Sequence, residues 1–234
     1  MKISNSKLIC ALDVANIKAA KGVVRRLGNT VQWYKVGLRL FSQEGPAMVR
    51  WLKKHKKRVF LDLKLHDIPN TVAEACKVAV GMKVDMLTVH ASGGLEMLQA
   101  ARLAAQQEAR RLKVRPPLIV AVTVLTSLND LAFLGISESV SNQVLRLVKL
   151  AEAAKLSGIV CSPLEIQILR QKFSKTLKLV TPGIRPPGSP HGDQKRVLTA
   201  QEAFAAGADY IVVGRPILAA TDPKAVIKQL LATK

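Results

Sequence analysis

A parallel (β/α)8 barrel, folded as one α/β domain over residues 1–234, is what the sequence predicts, and three observations predict it. Eight short apolar runs alternate with eight amphipathic or alanine-rich segments. The runs are near-continuous rather than alternating, as befits parallel strands buried on both faces. Asp13, Lys35, Lys64, Thr126, Arg185 and Arg215 all lie at or just past the C-terminal ends of different runs, and in a TIM barrel those ends converge on one mouth. A doubly wound open sheet gives a similar periodicity and stands as the alternative. A hydrophobic content of 49% against 22% charged residues is ample for one packed core.

Taken in order, Leu8 to Leu12 is an apolar run ending at Asp13, with a helix from about Ile17 to Leu27 behind it. Val31 to Gly37 is the second strand, carrying Lys35 near its end, and an amphipathic segment runs from Leu38 toward Lys54. The third strand starts at Arg58-Val59-Phe60-Leu61 and enters the densest chemistry of the chain, Asp62-Leu63-Lys64-Leu65-His66-Asp67-Ile68-Pro69-Asn70-Thr71. A helix from Pro69 to Gly81 follows, opened by a proline that has no N–H to leave unpaired. Val84 to His90 is the fourth strand; Gly94 to Leu112, rich in strong helix formers, is its helix, stopped by Pro116 and Pro117. Leu118 to Leu125 is the fifth strand, with Thr126 and Ser127 at its exit and a helix from about Glu138 to Leu156. Gly158 to Cys161 is the sixth, followed by a helix that Pro163 starts. Leu177 to Thr181 is the seventh. The proline- and glycine-rich stretch behind it, at about 182–196, reads as a lid, since long loops inside compact domains are usually functional. A helix from about Thr199 to Ala206, the eighth strand Tyr210 to Val213, Gly214-Arg215-Pro216 and a last helix opened by Asp222-Pro223 complete the chain.

On a regular strand, residues two apart share a face, so Asp62 and Lys64 point one way while Leu61, Leu63 and Leu65 point the other. The leucines then pack, and the charged pair faces inward. A paired ammonium keeps the proton that a lone buried lysine tends to lose, so Lys64 is a candidate proton donor. The plainer reading is a salt bridge for stability, with Asp67 capping the next helix. Burying several charges at one strand end is costly unless they are used, which favours a site. At the other end, Thr181-Pro182-Gly183-Ile184-Arg185 and Val213-Gly214-Arg215 each pair a glycine with an arginine. Glycine lets backbone N–H groups approach an anion and arginine grips it bidentately, so a phosphomonoester is expected after strands seven and eight. His66 reads as structural on the leucine face, His55 and His191 as solvated, and His90 as a residue that could border the site.

The net charge of +20, from 36 Lys and Arg against 16 Asp and Glu, invites a nucleic-acid partner. The charge is spread along most of the chain, however, and aromatics are only 4%, too few for a stacking platform. The two dense runs, Lys53 to Arg58 and Arg110 to Arg115, fall at predicted helix ends, where the helix dipole favours cations. No nucleic-acid partner is expected; the charge can instead steer an anionic small molecule. Cys10, Cys76 and Cys161 show neither metal nor redox spacing and read as core thiols of a reducing compartment. No pair of histidines has metal-ligand spacing. The five-residue run before Asp13 is too short for a signal-peptide core and no run reaches membrane-span length, so a cytoplasmic protein without a membrane partner is expected.

These motifs resemble the orotidine 5'-phosphate decarboxylase family nearly end to end. The resemblance is carried by Ala11-Leu12-Asp13, Tyr34-Lys35-Val36-Gly37, the stretch from Asp62 to Thr71, Val89-His90-Ala91, Leu125-Thr126-Ser127, Thr181 to Arg185, Asp193-Gln194 and Val212-Val213-Gly214-Arg215. Asp-x-Lys-x-x-Asp alone is shared with related sugar-phosphate decarboxylases; the extension Ile68-Pro69-Asn70-Thr71 and the Pro-Gly-Ile-Arg lid are more specific. The resemblance implies decarboxylation of orotidine 5'-phosphate to uridine 5'-phosphate with no cofactor and no metal. Lys64 would be the proton donor in an array of Lys35, Asp62, Lys64 and Asp67. Asp13 and Lys35 would bind the ribose, Thr126 the pyrimidine, and Arg185, Gln194, Gly214 and Arg215 the phosphate side. Asp67 and Thr71 would come from the neighbouring subunit of a homodimer with composite sites. Two rivals remain: a decarboxylase similar to that acting on 3-keto-L-gulonate 6-phosphate, whose acids help hold Mg2+, and a basic barrel that binds nucleic acid.

Overall fold

Each apolar run becomes a strand because it is covered twice, by the barrel interior on one side and by helices on the other. The computed structural model describes residues 5–186 and 197–232. Within them lie β1 (Leu8–Ala11), β2 (Trp33–Gly37), β3 (Arg58–Leu65), β4 (Met86–His90), β5 (Leu118–Val122), β6 (Gly158–Val160), β7 (Lys178–Thr181) and β8 (Tyr210–Val213). They pair in parallel in chain order, and β8 closes onto β1 with Ile9 opposite Val212. Closure decides against the open doubly wound sheet: this is a (β/α)8 barrel. Around it run α1 (Ile17–Leu27), α2 (Leu38–Glu44), α3 (Ala47–Lys54), α4 (Pro69–Gly81), α5 (Gly94–Arg111), α6 (Val140–Ala153), α7 (Ile166–Lys172), α8 (Ala200–Ala206), α9 (Arg215–Leu218) and α10 (Pro223–Leu231). Among the described residues no helix is long and apolar enough to cross a membrane.

The barrel interior is a packed plug of Ile9, Ala11, Trp33, Phe60, Met86, Val120, Val180 and Val212. Trp33 meets Tyr210 edge-on, with ring centroids 5.6 Å apart. Because side chains alternate with a period of two, the residue two further along each strand stands on the same inner face, one layer nearer the mouth. Above Ala11 comes Asp13, above Trp33 Lys35, above Phe60 Asp62, above Met86 Thr88, and above Val212 Gly214. The polar site is thus the top layer of the apolar plug. The other strand face, including Leu61 and Leu87, packs against the helices, and Leu63 and Leu65 join that layer partly buried.

Helix ends are closed locally. Asn16, Ser139 and Asp222 cap α1, α6 and α10 with their side-chain oxygens, and Thr199 with Glu202 makes a capping box on α8. The C-termini of α3, α4, α5 and α6 share one device. The second residue after each helix, Lys56, Lys83, Lys113 and Lys155, takes a left-handed backbone with φ between 54° and 57°. Its N–H bonds three residues back, and the following N–H bonds five residues back, as in Lys56 N–H to Lys53 O and Lys57 N–H to Leu52 O, both 3.0 Å. This is a Schellman closure with lysine where glycine is usual, and its cation sits at the negative end of the helix dipole.

The structure departs from the sequence expectation in several places. The segment from Leu38 to Lys54 is two helices, because Gly45 (φ 53°) closes α2 and Pro46 cannot continue it. The short helix α9 directly behind β8 was not anticipated from Gly214-Arg215-Pro216. The basic run at Lys53 to Arg58 falls at the C-terminal end of α3 as expected, and part of it also has partners in the fold: Lys53 pairs with Asp85 at 2.6 Å, Lys57 turns inward to Gly28 O at 2.6 Å, and Arg58 lies over the Trp33 ring. All three cysteines are buried and outside any disulfide, and burial pushes the Cys10 and Cys76 thiols up to about 12, which disfavours the reactive thiolate.

Candidate active site

The top layer carries an alternating line of charge. Lys35 Nζ lies 3.0 Å from Asp13 Oδ1 and 3.4 Å from Asp62 Oδ2, and Lys64 Nζ lies 2.9 Å from Asp62 Oδ1. Asp62 therefore has an ammonium on each oxygen. Its side chain is 11% exposed and that of Lys35 13%, whereas Lys64 is 30% exposed. Lys64 is the more exposed cation of the two. Burial alone would raise the Asp62 carboxyl, but Lys35 and Lys64, with hydrogen bonds from Lys64 and Thr88, outweigh it and hold the group below its ordinary range. Burial likewise pulls Lys35 toward its neutral form and is outweighed by Asp62 and Asp13, so its ammonium is held above the ordinary lysine value. A Cβ at Gly37 would stand 2.8 Å from Lys35 Nζ, so any larger residue there would push the ammonium from its place between Asp13 and Asp62.

Strand β3 does not alternate regularly through this point. Leu61 pairs with Leu87 and Leu65 with Val89, so the register shifts between them, and Lys64 takes a left-handed backbone with φ 51°. Asp62 keeps the inward face of Phe60, whereas Lys64 stands within the irregularity, so its direction does not follow from a plain two-residue repeat. The Lys64 N–H donates to Thr88 Oγ1 at 2.8 Å, and that hydroxyl donates to Asp62 Oδ1 at 3.1 Å. Thr88 is fully buried. Neither Thr88 nor Gly37 was singled out from sequence, although Thr88 shares the inward face of Met86 and Gly37 lies in the Tyr34-to-Gly37 motif.

A cavity of about 270 Å³ opens above the plug. Asp13, Lys35, Asp62 and Lys64 line one wall, and Pro182, Gly183, Arg185, Gly214 and Arg215 the other, with Thr126 also on its surface. The two walls adjoin because β8 pairs with β1. Gly183 has φ 77°, a left-handed conformation that favours glycine. Arg185 is buried and anchored: its backbone N–H reaches Leu198 O at 3.0 Å, and Nη1 reaches Ile184 O at 2.9 Å. Arg215 is exposed at the start of α9. Acids and paired lysines at one end and two arginines at the other suit a ligand with a reacting centre and a distant anionic group.

Asp67 and Thr71 do not line this cavity; both are exposed, and Asp67 accepts the Ile68 N–H at 2.7 Å. The N-cap position of α4 is Ile68, with no side-chain cap, so the plainer alternative, in which Asp67 caps that helix, is not what the structure has. Gln194 and most of the expected lid at about 182–196 lie outside the described residues. His66 is exposed and stacks on half-buried His90 at 5.3 Å; His90 holds Ser92 Oγ at 2.6 Å and is not part of the cavity wall. The structural reading of His66 on the leucine face gives way to a ring pair beside the mouth, because the shifted register ends the strand alternation before residue 66.

The depressed Asp62 carboxyl links folding to pH. A group whose folded pKa lies below its unfolded value contributes stability above the ordinary value, here 3.8, and that contribution is lost as pH falls through the folded value. In denaturant titrations carried from about pH 5 to about pH 2, the wild type is expected to lose stability below about pH 4 more steeply than Asp62→Asn, in which no carboxyl titrates there. Parallel curves would refute the linkage.

Residues 6–230 match the model of a family described as Orotidine 5'-phosphate decarboxylase / HUMPS. The chain is 49% identical over 232 residues to an orotidine 5'-phosphate decarboxylase of Moorella thermoacetica, covering 98% of this chain and 92% of that one. It is 46% identical over 231 residues to the orotidine 5'-phosphate decarboxylase of a Nostoc species, with 97% of each chain covered. Among solved structures, the orotidine 5'-phosphate decarboxylase of Lactobacillus acidophilus superposes with a TM-score of 0.85 at 34% identity, covering 96% of this chain and 97% of that one.

Proposed function

The chain belongs to the orotidine 5'-phosphate decarboxylase / HUMPS family, and from that premise we propose that it is an orotidine-5'-phosphate decarboxylase. It is a carboxy-lyase of pyrimidine-nucleotide synthesis that converts orotidine 5'-phosphate to uridine 5'-phosphate and CO2 without a cofactor. The observation that carries this reading within the family is the occupation of Asp62. Lys64 holds one of its oxygens and Lys35 the other, so a divalent cation, as the sugar-phosphate decarboxylases use, would have to displace an ammonium to reach it.

Breaking the bond from C6 to the carboxylate leaves an electron pair on C6 that the pyrimidine ring does not delocalise. A positive group already in place stabilises that charge without reorganising when the bond breaks. Lys64 fills this role, then transfers a proton from Nζ to C6 as CO2 departs. Asp62 orients Lys64. Asp13 and Lys35 hold ribose hydroxyls, Thr126 the pyrimidine, and Arg185, Gly214 and Arg215 the phosphate. Gln194, outside the described residues, joins them from a lid at about 182–196, within one domain spanning 1–234.

Asp67 and Thr71 of the partner subunit complete each site in a homodimer. Support comes from their exposure outside their own cavity and from Leu38, Ile68 and Leu95, exposed by 55%, 66% and 37% at the starts of α2, α4 and α5. Large apolar side chains gathered at one rim mark a surface that another protein covers.

The test is the fall in ultraviolet absorbance as orotidine 5'-phosphate becomes uridine 5'-phosphate, measured with and without EDTA. Equal turnover in both is expected. Loss of activity in EDTA would move the assignment to the Mg2+-dependent sugar-phosphate reading, as would no turnover by the folded protein.

A further inference from the structure

We infer that Thr88 is a positioning residue whose single hydroxyl fixes Lys64 and Asp62 relative to each other. The inference rests on the orotidylate reading and concerns how that site is held in shape. Between the pairs Leu61–Leu87 and Leu65–Val89, three residues of β3 face one residue of β4, and that one is Thr88. An irregularity of this kind takes backbone groups out of the ladder. The Lys64 N–H, on its left-handed backbone, has Thr88 Oγ1 as its acceptor at 2.8 Å. The same oxygen donates its proton to Asp62 Oδ1 at 3.1 Å, and Asp62 Oδ1 accepts from Lys64 Nζ at 2.9 Å.

The three bonds form a closed ring through both ends of Lys64. A hydroxyl is suited to this place because one oxygen accepts and donates at once. Thr88 is fully buried, so bulk solvent has no route to replace the hydroxyl. Without it, the Lys64 backbone and the Asp62 carboxylate each lose a partner, and Nζ loses the fixed frame from which it meets C6. Thr88 touches neither reacting atom; it acts through Lys64.

Two variants separate the hydroxyl from packing. Thr88→Val keeps the shape and removes the hydroxyl; Thr88→Ser keeps the hydroxyl and removes a methyl. A positioning role predicts that Thr88→Val loses about tenfold to hundredfold in kcat with little change in KM, while Thr88→Ser stays within about threefold. A packing role predicts the reverse order, and that order, or a wild-type kcat in Thr88→Val, would overturn the inference. If Thr88→Val does not fold, Thr88→Ser decides alone: about a tenfold loss or more sinks the inference, and near-wild-type kcat supports it. Hydrogen exchange at the Lys64 amide gives a readout independent of activity. It should run at least about tenfold faster in Thr88→Val than in Thr88→Ser, and equal rates would overturn the clamp. A wild type that exchanges slowly at Lys64 yet does not decarboxylate orotidine 5'-phosphate marks failure of the functional reading alone.

Discussion

Lys64→Ala is expected to lower kcat/KM for orotidine 5'-phosphate by on the order of 10⁴-fold or more, because it removes both the preorganised charge and the proton donor. Either contribution alone is commonly worth about 10² to 10⁴. Lys64→Arg sharpens the result. Arginine restores the charge but does not release a proton in proteins, and its planar group does not reproduce a compact ammonium. It should therefore stay at least about 10²-fold below wild type. Thermal melts of both variants distinguish lost chemistry from lost fold, since Lys64 lies on the mouth and not in the apolar plug. Retention of more than about 1% of activity by a folded Lys64→Ala would remove Lys64 from the centre of the mechanism.

Orotidine, which lacks the phosphate, is expected to react with kcat lower by on the order of 10³-fold or more, and not merely to bind less tightly. Binding energy from a remote group can be used to organise the reacting end, and then a truncated substrate loses kcat as well as KM. Arg215 offers the matching variant because it is exposed and its removal leaves the barrel core intact. Arg215→Ala should lower kcat/KM for the phosphorylated substrate by about 10²-fold while leaving the reaction of orotidine unchanged, since that substrate has nothing for the guanidinium to grip. Equal kcat for the two substrates, or an equal loss for both in Arg215→Ala, would separate the arginine end of the cavity from the chemistry.

The barrel was legible because its signals are local. A continuous apolar run such as Leu8 to Leu12, a proline at the start of α4 and an aspartate before Pro223 each act within a few residues, and each appears in the structure where it was read. The strand-end positions of Asp13, Lys35, Asp62 and Lys64 follow from the same local reading, and the structure brings them around one cavity. Family membership was legible as well, since it rests on spaced motifs that the matched region, residues 6–230, contains. The break of the Leu38-to-Lys54 segment was also written locally, in Gly45-Pro46, and was missed because the hydrophobic pattern continues across it.

By itself, then, the sequence determined the eightfold alternation, the inward face of each strand, and which residues stand at the mouth, because period and composition act over a few residues. Only the tertiary structure decided the left-handed backbone of Lys64, the place of Thr88 between Lys64 and Asp62, the space Gly37 leaves for Lys35, and the exposure of Asp67 and Thr71 away from their own cavity. The Thr88 bonds join residues 24 and 26 positions apart, and the irregularity in β3 exists only relative to the register of β4. Register is a relation between two strands and is set when the whole sheet closes, so no window along one of them contains it.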